Sequence, residues 1–259
     1  MAKKIVLRDQ IYNIKDARER KYRFTNYQKY LEEISKGFPA TRVRIKKLRK
    51  FDQRFEVLIQ GPEEVFVSNL LRKEIGALQS FEEIQKGTTL EGNMVNVGEV
   101  GFGIFVDCGI TNPPTDVLLP LYTLREQLCA GKKVSVREII NAYDFRDHFP
   151  VYVEITDVKP EKKELSGKLA PKTLRLFDRL LDEGIEALCV MGATKNQVKK
   201  AIEQRGHFGD VISVKRFGFL EHMVLLEENT HAPGIIAHIG SLLEGCKISA
   251  LRPEKIRKL

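Results

Sequence analysis

Phe102 and Phe105 stand three residues apart in the stretch Gly101-Phe102-Gly103-Ile104-Phe105-Val106-Asp107-Cys108-Gly109. Exposed rings in such a strand can stack nucleobases. Each stacked base contributes ~1–3 kcal/mol with little regard for sequence, because every base has a π-face. Side chains three apart on a regular strand point to opposite faces, so showing both rings requires a bulge at Gly103. A second group of residues suits the same ligand. Arg42, Arg44 and Lys46 alternate with Val43 and Ile45, and Lys47, Arg49 and Lys50 follow. In a half-buried strand the valine and isoleucine face the core, and the three cations face away from it. Such a row either contacts phosphates or is a solvated surface.

Other chemistries find no footing in the sequence. There is no G-x-x-x-x-G-K-[ST] phosphate loop, and Gly101-x-Gly103 lacks the third glycine of a dinucleotide fingerprint. Gly206-His207-Phe208-Gly209 has the spelling of a KH clamp, but it separates a helical pattern from a strand and reads as a turn. His231 and His238 are two helical turns apart, with no third ligand for a metal. No G-x-S-x-G nucleophile motif is present. Cys108, Cys129, Cys189 and Cys246 form no C-x-x-C pair, which fits free thiols in a reducing cytoplasm. No catalytic residue, cofactor or metal is therefore expected.

The 259 residues suffice for two or three domains. No run reaches the roughly 18–20 apolar residues of a membrane helix, and the short apolar core of residues 5–7 reads as a strand rather than a signal peptide. The net charge of +8 is uneven: residues 1–86 hold 20 basic against 12 acidic side chains, residues 87–168 hold 9 against 12, and residues 169–259 hold 14 against 11. A polyanion would be held mainly by the first third.

The spacing predicts a β-α-β-β-α unit over 1–86. Its strands lie at 4–8, 42–46 and 55–59. Residues 13–23 are a charged segment without apolar spacing, Thr25 caps the first helix, and Pro62 opens the second. Residues 87–168 read as about five short strands with Gly/Pro turns, a small barrel with a helical insertion between 121 and 142. Residues 169–259 read as a helix followed by β-α-β-β-α-β, the ferredoxin-like order, with a Thr194/Gln197 capping box. The fold class is thus α+β and multidomain.

The central third resembles the OB-fold RNA-binding domain of the ribosomal protein S-one type. The likeness rests on Lys86-Gly87-Thr88, on Phe-Gly-Ile-Phe-Val-Asp at 102–107, and on the closing strand Val151 to Ile155 with Asp157 after it. The whole chain is similar to an archaeal protein family built around such a domain. The resemblance implies an OB-type barrel in which Phe102 and Phe105 stack bases. The next strand, Val117-Leu118-Leu119-Pro120-Leu121, is apolar where many members of that family place histidine and serine, and the module is net acidic. Two readings follow. The first is a non-catalytic, cytoplasmic RNA-binding protein in translation, ribosome association or RNA processing. Its partner is single-stranded or structured RNA, ribosomal RNA included, held by Phe102, Phe105, Arg42, Arg44, Lys46, Lys47, Arg49 and Lys50. The alternative is an adaptor docking on a larger ribonucleoprotein or transcription complex. Neither involves a membrane.

Overall fold

The computed structural model describes residues 2–259. They form two compact units, Met1–Gln79 and Ser80–Leu259.

The first unit is built from β1 (Lys3–Gln10), α1 (Ala17–Ile34), β2 (Arg42–Leu48), β3 (Arg54–Gln60) and α2 (Glu64–Glu74). The sheet order is β1-β3-β2, antiparallel throughout, and a bridge from Leu7 to Ala77 extends it beside β1. Ile5, Leu7, Val43, Val57 and Ile59 alternate inward and are buried with Tyr27 and Leu31 of α1 and Val67 and Leu71 of α2. The Tyr27 ring lies 4.4 Å from that of Phe55, and its hydroxyl donates to Asp9.

Two boundaries differ from the expectation. Asp16, not Thr25, caps α1 by accepting from the Glu19 amide at 2.7 Å, so residues 17–23 are helical. Their face is charged because little of it is buried. Arg23 is the exception, its guanidinium bonded to Glu19 at 3.0 Å. The second helix begins at Glu64 rather than Pro62, because Glu63 is held outside it by Thr41, whose Oγ1 donates to the Glu63 carboxylate and accepts from its amide.

After a two-residue strand, β4 (Gln79–Ser80), five strands close a barrel: β5 (Thr89–Val95), β6 (Gly103–Thr111), β7 (Thr115–Pro120), β8 (Pro150–Lys159) and β9 (Glu164–Leu169). β5 pairs with β6 and β8, β6 with β7, and β8 with β9, all antiparallel. A parallel pairing of β7 with β9 completes the ring. α3 (Leu121–Leu128) and α4 (Val136–Tyr143) are inserted between β7 and β8.

The chain continues through α5 (Pro171–Glu183), β10 (Ala187–Met191), α6 (Lys195–Gln204), β11 (Val211–Arg216), β12 (Glu221–Leu226), α7 (Ala232–Ile239), β13 (Lys247–Leu251) and the short α8 (Pro253–Ile256). The antiparallel sheet has the order β11-β12-β10-β13. Leu188, Val190, Val224 and Leu226 pack on one face with Val198 and Ile202 of α6 and Ile235 of α7. Ala187, Cys189, Met191, Met223 and Leu225, on the other face, join the core of the barrel. Burial on both faces explains why β10 and β12 read as nearly continuous apolar runs. No helix among the described residues is long and apolar enough to cross a membrane.

Candidate nucleic-acid interface

The two rings come together on the outside of the barrel. Phe105 belongs to β6 and is half-buried. Phe102 lies in the bend just before that strand and is 57% exposed. Their centroids are 6.1 Å apart at 90°, an edge-to-face pair. The bulge expected at Gly103 is absent. Gly103, Ile104 and Phe105 pair in regular register with Pro120, Leu119 and Leu118. Phe102 escapes strand alternation because it precedes the strand. Gly103 has a different task. A Cβ there would sit 2.4 Å from the Leu119 carbonyl oxygen and 2.7 Å from Leu118, so only glycine lets β7 approach this closely.

Directly opposed residues of an antiparallel pair share a face. Val95 and Leu118 therefore flank Phe105 on the outer surface, and both are half-buried. Tyr122, at the start of α3, is 70% exposed. Asn93 and Asp107 form the next row, with the Asp107 carboxylate accepting from the Gly109 amide at 2.8 Å. The rings thus stand in an apolar strip with polar groups at one end.

The predicted cations lie on the sheet of the first unit. α1 and α2 cover one face of this sheet and leave the other open. Register places Lys4, Leu58 and Arg44 in one row of the open face, with Val6, Glu56 and Lys47 in the next. Lys4 was not singled out in the sequence, although its alternation with the inward Ile5 and Leu7 is the same signal that marks β2. Glu56 holds two of the cations. It accepts from Lys46 at 2.6 Å and pairs with Lys47 at 3.3 Å, and the Lys46 hydrogen bond keeps its carboxyl below the usual carboxylate range. Arg49 pairs with Asp52 at 3.2 Å. Arg42, Arg44 and Lys50 are exposed and make no ion pair among the described residues. β2 is an edge strand, and the Gln28 amide of α1 closes part of that edge, donating to the Val43 carbonyl and accepting from the Ile45 amide.

The histidines are dispersed. His238 stacks on His207, not on a helical face with His231; their nitrogens are 2.7 Å apart, and His207 Nδ1 lies 2.7 Å from Asp210. His231 lies beside Glu186 at 3.9 Å. His222 is wholly buried in β12. Burial, with the charges of Arg216 and Lys195, pushes its pKa down to about 3. Among the described residues no group of three or more His, Cys, Asp or Glu is placed to hold a metal ion. Among the described residues the four cysteines form no disulfide.

Residues 84–182 match the DUF2110 central domain, and residues 185–251 match the DUF2110 C-terminal domain. The chain carries these two DUF2110 domains. Phe102 and Phe105 fall in the DUF2110 central domain and His222 in the DUF2110 C-terminal domain, while the cations at 42–50 precede both. No curated protein sequence matches the chain. Among solved structures, it is similar to the intact alpha subunit of aIF2 from Pyrococcus abyssi, with 10% identity over 67% of this chain and 99% of that one, at a TM-score of 0.26. It is similar to a chain of the a/eIF2alpha-aDim2p-rRNA complex from Pyrococcus horikoshii, with 12% identity over 48% and 64%, at 0.27. It is also similar to GSP13 from Bacillus subtilis, with 18% identity over 36% and 58%, at 0.25.

Proposed function

We propose that this protein is a non-catalytic RNA-binding protein of translation, ribosome association or RNA processing. The observation that carries the reading is the pair Phe102 and Phe105, displayed together on the outer wall of a closed barrel. The barrel is read as an OB fold of the ribosomal protein S-one type. Its strand connectivity and its helical insertion after the third barrel strand support that reading. The four-stranded C-terminal sheet is read as ferredoxin-like, its order supporting a β-α-β-β-α-β unit. The domains are taken as 1–86, 87–168 and 169–259.

In this reading the rings stack unpaired bases, and the open sheet face of the first unit contacts phosphates through Arg42, Arg44 and Lys50. Lys46, Lys47 and Arg49 add three more, the two lysines once Glu56 yields them. Three single-strand phosphate contacts give a log–log salt slope of about −2, and six give about −4. Filter binding of a labelled single-stranded RNA by the full chain at 50 and 200 mM salt tests this. Equal, weak retention at both concentrations would remove RNA as the partner.

A second reading has an observation of its own. Val95, Phe102, Phe105 and Leu118 form an apolar strip on a barrel region that carries more acidic than basic side chains. Such a strip suits a protein-docking adaptor of a ribonucleoprotein or transcription complex. Partners that survive nuclease treatment of a native pull-down favour the adaptor; partners lost with the RNA favour direct binding.

A further inference from the structure

The hairpin joining β2 to β3 carries an aromatic ring that the reading above does not use. Phe51 is 72% exposed at its tip, and the Arg49 guanidinium lies over the ring, 4.3 Å from its centroid. Arg49 covers one side of the ring, and the high exposure leaves the other side to solvent. The turn is firmly built. The Arg49 amide donates to the Arg54 carbonyl, the Gln53 amide donates back to the Arg49 carbonyl, and the Gln53 side chain donates to the Lys50 carbonyl at 2.6 Å. The Asp52 carboxylate, 3.2 Å from Arg49, fixes the guanidinium above the ring. A large apolar ring held in water by three hydrogen bonds and an ion pair contributes nothing to the core. It is pre-organised for a ligand.

The surroundings indicate which ligand. Register places Arg49 opposite Arg54, one row beyond Lys47 and Glu56, so the tip continues the open cationic face. Along β2, Arg44 and Arg42 lie two residues apart, at a strand rise of ~3.3 Å per residue. From ring to far end the strip is cationic, and only Glu56 and Asp52 oppose it. A flat hydrophobic ring ending a row of cations fits a chain of alternating bases and phosphates. A duplex keeps its bases stacked and paired, so it offers the ring nothing.

We infer that Phe51, backed by Arg49, is a base-stacking platform, and that the open sheet face of the first unit takes single-stranded RNA running from this ring along Arg44 and Arg42. The inference rests on the RNA-binding reading, but not on the barrel rings.

The test uses the full chain and fluorescence anisotropy with two probes, a fluorescein-labelled twelve-nucleotide oligouridylate and a labelled twelve-base-pair RNA duplex. Phe51→Leu removes the ring but no charge. It is expected to weaken oligouridylate binding by roughly 5- to 100-fold, leave the salt slope unchanged and leave duplex binding unaltered. Thermal melts by circular dichroism confirm that the variant is folded, because Phe51 is outside the core. Unchanged oligouridylate affinity in Phe51→Leu, alongside a loss in Phe102→Leu, overturns the platform and leaves the RNA reading standing. An equal loss on both probes also overturns it. Failure of the unaltered protein to bind either probe removes the RNA reading and the platform with it.

Discussion

A phenylalanine in water is stable only if something else in the fold holds it there, and Phe102 is held by its place ahead of β6. Its carbonyl accepts from the Leu121 amide at 2.8 Å, which fixes the backbone while the ring remains outside. Replacing Phe102 or Phe105 with leucine should cost RNA affinity by about 1–3 kcal/mol each without changing the salt slope, because no charge is lost. Isothermal titration at two salt concentrations checks this, and a changed slope with constant affinity would assign the rings another role. His222 acts in a different way. It is neutral in the fold, with a pKa near 3, whereas the unfolded chain protonates it near pH 6.5. Its contribution is therefore complete above about pH 6.5 and declines as the pH falls towards 3, by about 1.5–2 kcal/mol between pH 6.5 and 5. His148, also lowered by burial and by Lys247, adds in the same direction. Urea melts of His222→Leu should show a flatter pH dependence over that interval than the unaltered protein. An identical dependence would mean that other groups set the acid limit.

Among the elements, the barrel depends on backbone contacts that tolerate no side chain. At Gly103 a methyl group would strike the β7 backbone, and at Gly92 it would lie 2.7 Å from the Asp107 carbonyl oxygen and the Cys108 sulfur. Gly103→Ala should destabilise the second unit by about 1–3 kcal/mol, the usual cost of overpacking. Urea denaturation followed by circular dichroism measures it, and a neutral result would show that β7 can withdraw. In the first unit, Gln28 satisfies two backbone groups on the β2 edge. Gln28→Ala should cost about 1 kcal/mol and expose a pairing edge, detectable as concentration-dependent association in sedimentation velocity. The capping box at Thr194 and Gln197 formed as its spacing implied, with Thr194 accepting from the Gln197 amide and Gln197 reaching back. The α1 start did not follow its apolar pattern, because an N-cap aspartate and an ion pair hold a charged first half that buries little surface.

For the molecule as a whole, electrostatics decide how much of the formal +8 a polyanion would meet. Glu56 withholds Lys46 and Lys47, so Glu56→Gln should raise RNA affinity and steepen the salt slope by up to about 1.4, at ~0.7 per released cation. Weaker binding in that variant would mean that Glu56 orders the lysines for the ligand instead of competing for them. Local patterns were enough to determine a mixed α+β chain with a strand-built barrel in its middle, the outward Arg42 and Arg44 beside inward Val43 and Ile45, and the absence of a phosphate loop, but not the bulge after Ile45 that sets Lys47 rather than Lys46 opposite Glu56. Each follows from periodicity and turn chemistry, which act over a few residues. Tertiary structure alone decided the rest. It set the display of both rings without a bulge, the capture of three of the six predicted cations by Glu56 and Asp52, the exposure of Phe51 under Arg49, and the single core shared by the barrel and the C-terminal sheet. Each of these depends on which residues from separate strands come to lie opposite one another, and register and burial are properties of the closed fold, beyond the reach of any local window of sequence.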